Sequence, residues 1–444
     1  MEYLGKLIKI IKKKFISNKF TRNIMIITSG AVAIQALNMI FSPIITRIYP
    51  PEEYGVMAVL SSILMILSFP SFRYELAIPI EKDDNKAINV MALSFISLII
   101  FNFILIVILI MKGEAILSFF RASELSSYAY FIPIGVFVIG FQKILEQWLY
   151  RTKDFNLISK AGVWQSLSGN LAKLGTGFSG LGVNGLLFGQ VIQQSASIIP
   201  LSKNIWNKDK RLIKKINLDD VIWGMKRYKN FPIYQTPSRF LSTFKNQLPV
   251  FSLSLYGSQV VGLYGLANSI ARLPMTLIGY SVTNVFYAEA ASIGRNNPIR
   301  LKLLSENIFK KMIVIGLVPS IILIIWGPPL FSLFFGSNWY GSGIYARFLT
   351  IAIYADFIFS PVSRVYEVLE RQREKMLIDL FGLILVLTAF LIARYLSESP
   401  DLAILMYSVS MCLIYILQFI LARLFLNKEI NEVMNKNLIN YRRG

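Results

Sequence analysis

The stretch Ala87–Met111, AINVMALSFISLIIFNFILIVILIM, carries no charged residue. It is longer than the roughly 20 residues that a helix needs to cross the hydrocarbon core of a bilayer. A helix is also the form in which one segment satisfies its own backbone hydrogen bonds in lipid. Runs of this kind recur on both sides of it. Working outward gives about twelve spans, at 24–46, 55–79, 87–111, 127–149, 157–178, 183–202, 232–255, 259–287, 306–327, 342–363, 376–394 and 402–424. The fold class expected is an all-α polytopic membrane protein. The composition agrees, with 55% hydrophobic and 16% charged residues.

The formal net charge is +21. Its basic residues lie in short loops between apolar runs, and no basic, aromatic-interleaved soluble segment occurs, so nucleic acid is not an expected partner. Attraction of a polybasic face to membrane lipid explains the charge. Cys412 stands alone and histidine is absent. These two facts exclude an intrachain disulfide, a cysteine-rich metal site and histidine acid–base chemistry. No Gly-x-x-x-x-Gly-Lys-Ser/Thr phosphate loop is present, so ATP hydrolysis is not expected. The outer loops are too short for an external glycan-polymerising domain. No cofactor, no metal and no enzyme activity are expected.

Lysine and arginine are retained on the cytoplasmic side of a membrane. With the N-terminus inside, only Arg47, Lys112, Arg121 and Arg394, of 46 Lys and Arg, fall in outer loops. Both termini are therefore expected in the cytoplasm. Residues 1–22, with Lys6, Lys9 and Lys12 beside Leu4, Leu7, Ile8 and Ile11, read as a basic amphipathic segment at the membrane surface. Residues 23–202 form a first six-span lobe, 203–231 a basic cytoplasmic linker, 232–426 a second lobe and 427–444 a cytoplasmic tail. An internal repeat supports the division. Tyr49-Pro-Pro-Glu-Glu-Tyr-Gly55 and Tyr256-Gly-Ser-Gln-Val-Val-Gly262 superpose on sliding by 207 residues, as do Ser62-Ile63 and Ser269-Ile270. Both halves start inside, so the repeat is parallel, about an axis along the membrane normal.

Seven basic residues fall inside the spans: Arg73, Lys143, Lys173, Arg239, Lys245, Arg272 and Arg347, against the acids Glu75, Glu146 and Asp356. A charge at the bilayer centre costs roughly 2.5–3.5 kcal/mol on insertion scales, so such groups face protein or a watery cavity. The excess of one sign points to a cationic lumen that passes an anion. Polar residues three and four apart share a helical face. Rows of this kind are Gln35, Asn38 and Ser42; Ser166, Asn170 and Lys173; Gln235, Arg239, Ser242 and Asn246; and Asn268 with Arg272. For the amides and hydroxyls the competing role is interhelical hydrogen bonding. Lys143 and Glu146 are spaced to pair, either as a structural bridge or in ion coupling. Arg73 and Glu75 point apart on a helix, and Arg73 has room to snorkel to the inner interface. Asp356, a lone carboxylate, is the first candidate for proton coupling, with Glu146 and Glu75 behind it. Pro70, Pro133, Pro237, Pro249, Pro274 and Pro361 are placed to bend or break helices.

Thr46-Arg-Ile-Tyr-Pro-Pro-Glu-Glu-Tyr-Gly55 and Phe72-Arg-Tyr-Glu-Leu-Ala-Ile78 resemble the segments around span 2 of polysaccharide flippases. The resemblance continues through Tyr228-Lys-Asn-Phe-Pro232, Gln247-Leu-Pro249, Gly262-Leu-Tyr-Gly-Leu-Ala267 and Phe335-Gly-Ser-Asn-Trp339 with Ser342-Gly343. The chain is similar to the Wzx-type O-antigen and polysaccharide flippases of the multidrug/oligosaccharidyl-lipid/polysaccharide exporter superfamily. That resemblance implies two six-helix bundles about a central cavity in a bacterial cytoplasmic membrane. It implies transfer of undecaprenyl-pyrophosphate-linked oligosaccharide to the outer leaflet, driven by a proton or sodium gradient. The expected partners are the lipid-linked anionic glycan and membrane lipid, with a polymerase and a chain-length regulator as further candidates. Under this reading Arg239, Lys245, Arg272, Lys143, Lys173 and Arg73 attract pyrophosphate or acidic sugars, with Gln35, Asn38, Asn170, Gln235, Asn246 and Asn268 in support. The rival readings are a small-molecule exporter of the same superfamily and an integral-membrane glycan polymerase.

Overall fold

The computed structural model describes residues 19–119, 123–294, 297–369 and 371–443, and all regular structure among them is helical. The expected amphipathic segment 1–22 falls almost wholly outside them. Fourteen helices of ten residues or more follow in order: α1 Lys19–Ile48, α2 Pro51–Ile66, α3 Asp84–Phe119, α4 Phe131–Thr152, α5 Phe155–Phe178, α6 Gly182–Ser195, α7 Ile198–Ile213, α8 Leu218–Arg227, α9 Thr236–Leu253, α10 Ser258–Ile293, α11 Pro298–Phe335, α12 Tyr340–Phe359, α13 Gln372–Leu396 and α14 Pro400–Arg443. Among the described residues seven segments, lying in α1, α3, α4 and α11 to α14, are long and apolar enough to cross a bilayer unaided. The expected spans that miss this threshold are 2, 5, 6, 7 and 8. Spans 5, 7 and 8 carry polar rows or charges, which lower their hydropathy, whereas the helices of spans 2 and 6 are only 16 and 14 residues long.

The chain divides into two compact units after Ser254. The boundary expected at 231/232 lies one helix earlier. The difference comes from α9, which packs against α2 and so belongs with the first unit. In that unit α1 packs on α5, α5 on α6, α4 on α3 and α6, and α8 on α3. Its core gathers Ile78, Ile88, Leu98, Ile144, Trp148 and Leu201, all nearly inaccessible. In the second unit α12 packs against α10, α11 and α14, and α13 lies on α14. Phe286, Ala290, Leu301, Val362, Val365 and Leu426 form a core there.

Helix ends follow from local chemistry. Pro50 caps α2 and Pro51 occupies its first turn, with Glu52 and Glu53 favourably placed at the positive end of the helix dipole. The repeat is visible at this level: 207 residues on, Gly257 caps α10 and Ser258 opens it. Asp154 caps α5 by accepting from the Leu157 amide, and Asn217 caps α8 by accepting from that of Asp220. Gly169 and Gly189 let α5 and α6 touch. A Cβ on Gly169 would stand 2.8 Å from Gln193 Cα, and one on Gly189 would stand 3.0 Å from the Lys173 amide nitrogen.

Several expected spans are interrupted. Span 2 is not one helix over 55–79: α2 stops at Ile66, ahead of Ser68-Phe69-Pro70. Proline lacks the amide donor and disfavours helical backbone at the preceding residue. The chain then turns through Phe72 and Arg73, at φ 49° and 63°, into a short 3₁₀ turn at Tyr74–Ala77. Span 6 breaks at Ala196–Ser197, where Pro200 cannot donate to the Ala196 carbonyl. The linker 203–231 is largely helical, formed by the end of α7 and by α8. A π turn, Phe231–Gln235, leads into α9. The tail expected at 427–444 continues α14 to Arg443.

Candidate functional site

In the first unit, α2, α4, α6 and α9 enclose a cavity of about 400 Å³. Its charged groups are Lys143 from α4 and Arg239 from α9, and its polar lining includes Ser68, Gln190, Gln194 and Asn246. Arg239, Thr243 and Asn246 reach it because positions four and seven apart return to one helical face. Gln247 also lines it and donates to Met65 Sδ at 3.1 Å. Lys143 Nζ donates to the Ser68 carbonyl at 2.9 Å and stands 5.5 Å from the centroid of the Phe69 ring. That carbonyl is free because the helix has ended. The break in span 2 thus anchors the cavity lysine.

Lys143 and Glu146 form no ion pair among the described residues, contrary to one reading of their spacing. Glu146 accepts from Gln142 Nε2 at 2.7 Å instead. Gln142 and Gln165 exchange hydrogen bonds at 3.2 Å, and Gln165 donates to Gln194 Oε1 at 3.3 Å. An amide chain therefore runs from Glu146 to the cavity wall. Glu75 is buried and accepts from the Ser71 hydroxyl. Arg239 is exposed and has no hydrogen bond or ion pair among the described residues. Arg73, Lys143 and Arg239 act on one another electrostatically, with Glu75 and Glu146 the acids in reach. Positive charge is in excess, and Arg239 is a cavity-lining cation without a hydrogen-bond or ion-pair partner among the described residues.

The other expected residues are placed differently. Lys173 is buried against α6, and its Nζ donates to Gln190 Oε1 at 2.9 Å and Gln193 Oε1 at 2.8 Å. It stands behind Gln190 rather than on the wall. Asn38 Oδ1 accepts from Ser166 at 2.8 Å and from Asn170 at 2.9 Å, so the rows of spans 1 and 5 clasp α1 to α5. Arg73 leaves the helix at its left-handed turn and lies 5.7 Å from the Phe69 ring centroid. Gln235 lies in the π turn ahead of α9. Neither Gln35 nor Lys245 lines the cavity.

Asp356 is not a lone carboxylate. In the second unit it pairs with Arg272 Nη1 at 3.1 Å, and Arg272 Nε donates to Asn268 Oδ1 at 2.8 Å. A separate cavity of about 260 Å³ lies beside the pair, with Thr276, Ser360 and Arg364 among its lining. The pair neutralises the cation that was expected to attract an anion. Arg347 reaches the Ile325 carbonyl at 3.4 Å. Among the described residues no group of three His, Cys, Asp or Glu is placed to hold a metal ion.

The glutamines of α6 are among the site residues that sequence reading missed. Their signal was Gln190, Gln193 and Gln194, spaced by three and four on an otherwise apolar segment.

This helical arrangement is that of the multidrug and lipid-flipping transporters of the MOP superfamily, and the chain is a multi-pass membrane protein. An inward-facing MATE-family multidrug resistance transporter superposes with a TM-score of 0.72 at 16% identity, over 90% of this chain and 95% of that one. The lipid II flippase MurJ, in an inward closed conformation, superposes with a TM-score of 0.70 at 14% identity, over 94% of this chain and 91% of that one. The profile of the polysaccharide biosynthesis protein family matches residues 44–343, and the chain belongs to that family. No curated protein sequence matches the chain.

Proposed function

We propose that this chain is a flippase for a lipid-linked, phosphorylated oligosaccharide, of the kind carried on undecaprenyl pyrophosphate for O-antigen, capsule or exopolysaccharide. The observation that carries the reading is the cavity in which Arg239 and Lys143 face a polar, amide-rich lining that itself carries no carboxylate. Arginine grips phosphate oxygens through two parallel hydrogen bonds, and lysine adds a compact charge. Glutamine and asparagine side chains offer both donors and acceptors, which suits sugar hydroxyls. Membership of a polysaccharide biosynthesis family and a transporter fold support the same substrate class. The chain would lie in a bacterial cytoplasmic membrane with both termini inside, and move its cargo outward by alternating access. An ion gradient would drive it, and no bond in the substrate needs to be made or broken.

The test is the leaflet accessibility of lipid-linked oligosaccharide in cells with and without the protein. Inner-leaflet accumulation, relieved by the intact gene and not by Arg239→Gln with Lys143→Gln at equal expression, is the expected result. Normal outer-leaflet delivery without the protein, and with no second flippase present, would overturn it.

A further inference from the structure

A second hollow of the first unit is chemically opposite to the cationic cavity. It measures about 400 Å³ and is lined only by apolar side chains, among them Ile66, Leu67, Phe101, Ile104, Phe240 and Phe244. Its size falls in the range of ligand pockets, roughly 300–1,000 Å³. The hollow exists because α3 packs on α4 and α8 and makes few contacts with α2 or α9. Phe240 and Phe244 stack at 6.2 Å between centroids along its α9 wall, and Ile104 and Phe240 remain exposed.

The two hollows share a wall. On α9, Arg239, Thr243 and Asn246 face the polar cavity, whereas Phe240, Phe244 and Phe251 face the apolar one. Along α2 and the residues just past its end the division is repeated, with Ser61, Leu64, Met65 and Ser68 on one side and Ile63, Ile66 and Leu67 on the other. One helix pair thus presents a polar stripe that carries Arg239 beside a hydrocarbon stripe. An amphiphile with an anionic head joined to a hydrocarbon tail matches that pattern in both charge and polarity.

We propose that the apolar hollow holds the part of the hydrocarbon anchor nearest a phosphorylated headgroup, while that headgroup occupies the Lys143–Arg239 cavity. The proposal rests on the flippase reading and adds a tail site to it. The seam between α2 and α9 is the line along which the two parts of the lipid meet.

The test uses the full-length protein in phosphatidylcholine nanodiscs. One probe is a polyprenyl diphosphate with a diazirine in its proximal isoprene units, and the other is phosphatidylcholine with a diazirine in its acyl chain. Crosslinks are mapped by peptide mass spectrometry, and inorganic pyrophosphate binding is measured separately. The expected result is labelling of peptides containing Ile104 and Phe240 by the diphosphate probe. Arg239→Gln should lower that labelling about tenfold, the scale of one lost charge-assisted hydrogen bond. Ile104→Trp with Phe240→Trp should block the labelling and leave pyrophosphate binding unchanged. Equal labelling by phosphatidylcholine, independent of Arg239, would overturn the proposal and assign the hollow to ordinary bilayer lipid. Diphosphate labelling elsewhere, with pyrophosphate still bound, would remove the tail site and leave the cationic cavity standing. Absence of pyrophosphate binding would instead count against the flippase reading itself.

Discussion

Lys173 is 8% exposed and its two hydrogen-bond partners are neutral amides. An ammonium taken out of water costs several kcal/mol unless partners replace the lost hydration. Hydrogen bonds to a charged group return roughly 1.5–3 kcal/mol each, so Gln190 and Gln193 are what make this burial tolerable. Gln190→Leu with Gln193→Leu should therefore lower the melting temperature in detergent sharply, and adding Lys173→Met should restore much of the loss. Were the triple variant no more stable than the double, the lysine would not be the source of the strain. The contrast with Arg239 is instructive. That side chain is exposed and its guanidinium is unpaired, so Arg239→Gln should change melting little while abolishing transport.

At the scale of the element, the α5–α6 contact depends on glycine at the crossing. Gly169→Ala should destabilise by about 1–3 kcal/mol, the usual cost of overpacking, because the added carbon meets the α6 backbone. Gly175 lies on the same helix with nothing within 4 Å of its would-be Cβ, so Gly175→Ala should be neutral or slightly stabilising. Equal effects of the two changes would show that helix propensity, and not the close approach, governs the site. The start of α5 yields a second expectation. Asp154 accepts from Lys208 Nζ at 2.8 Å, and that hydrogen bond holds its carboxyl below the ordinary value of 3.8. A depressed carboxylate contributes stability above its unfolded pKa and loses it as pH falls through the folded one. Asp154→Asn keeps a good cap, so it should melt near the wild type at a pH below the depressed carboxyl pKa and slightly lower near neutrality. Asp154→Ala, which loses the cap as well, should lose about 1 kcal/mol at both.

For the whole molecule, the two units hold their charge differently. In the second unit Arg272 is matched by Asp356, and in the first Arg239 is unmatched. If anion transfer draws on unmatched charge, Arg272→Gln with Asp356→Asn should transport far better than either single change, each of which strands a partly buried charge. Arg239→Gln should fail in any background. Leaflet accessibility in cells distinguishes the cases. A double variant as inactive as Arg239→Gln would give the Arg272–Asp356 pair a direct part in transport or in ion coupling.

The all-helical, membrane-spanning class was legible because bilayer thickness imposes a length and a hydropathy on such helices, as Ala87–Met111 shows, whereas the breaks within spans 2 and 6 were not. The repeat was legible from Tyr49-Pro-Pro and Tyr256-Gly-Ser because a helix start is a local event. Helical spacing also correctly grouped Arg239 with Asn246 and Ser166 with Asn170, since a face is set by the pitch of one helix. Partners were another matter. Which carboxylate meets Arg272, which carbonyl receives Lys143 and which amides surround Lys173 depend on residues 17 to 84 positions away. The arrest of α2 at Ile66 frees the Ser68 carbonyl, and the close approach of α5 and α6 brings Gln190 and Gln193 to Lys173. The sequence determined that positive charge would be in excess inside the membrane. Tertiary packing decided which of those charges remain unmatched, because neutralisation requires two side chains to meet in space.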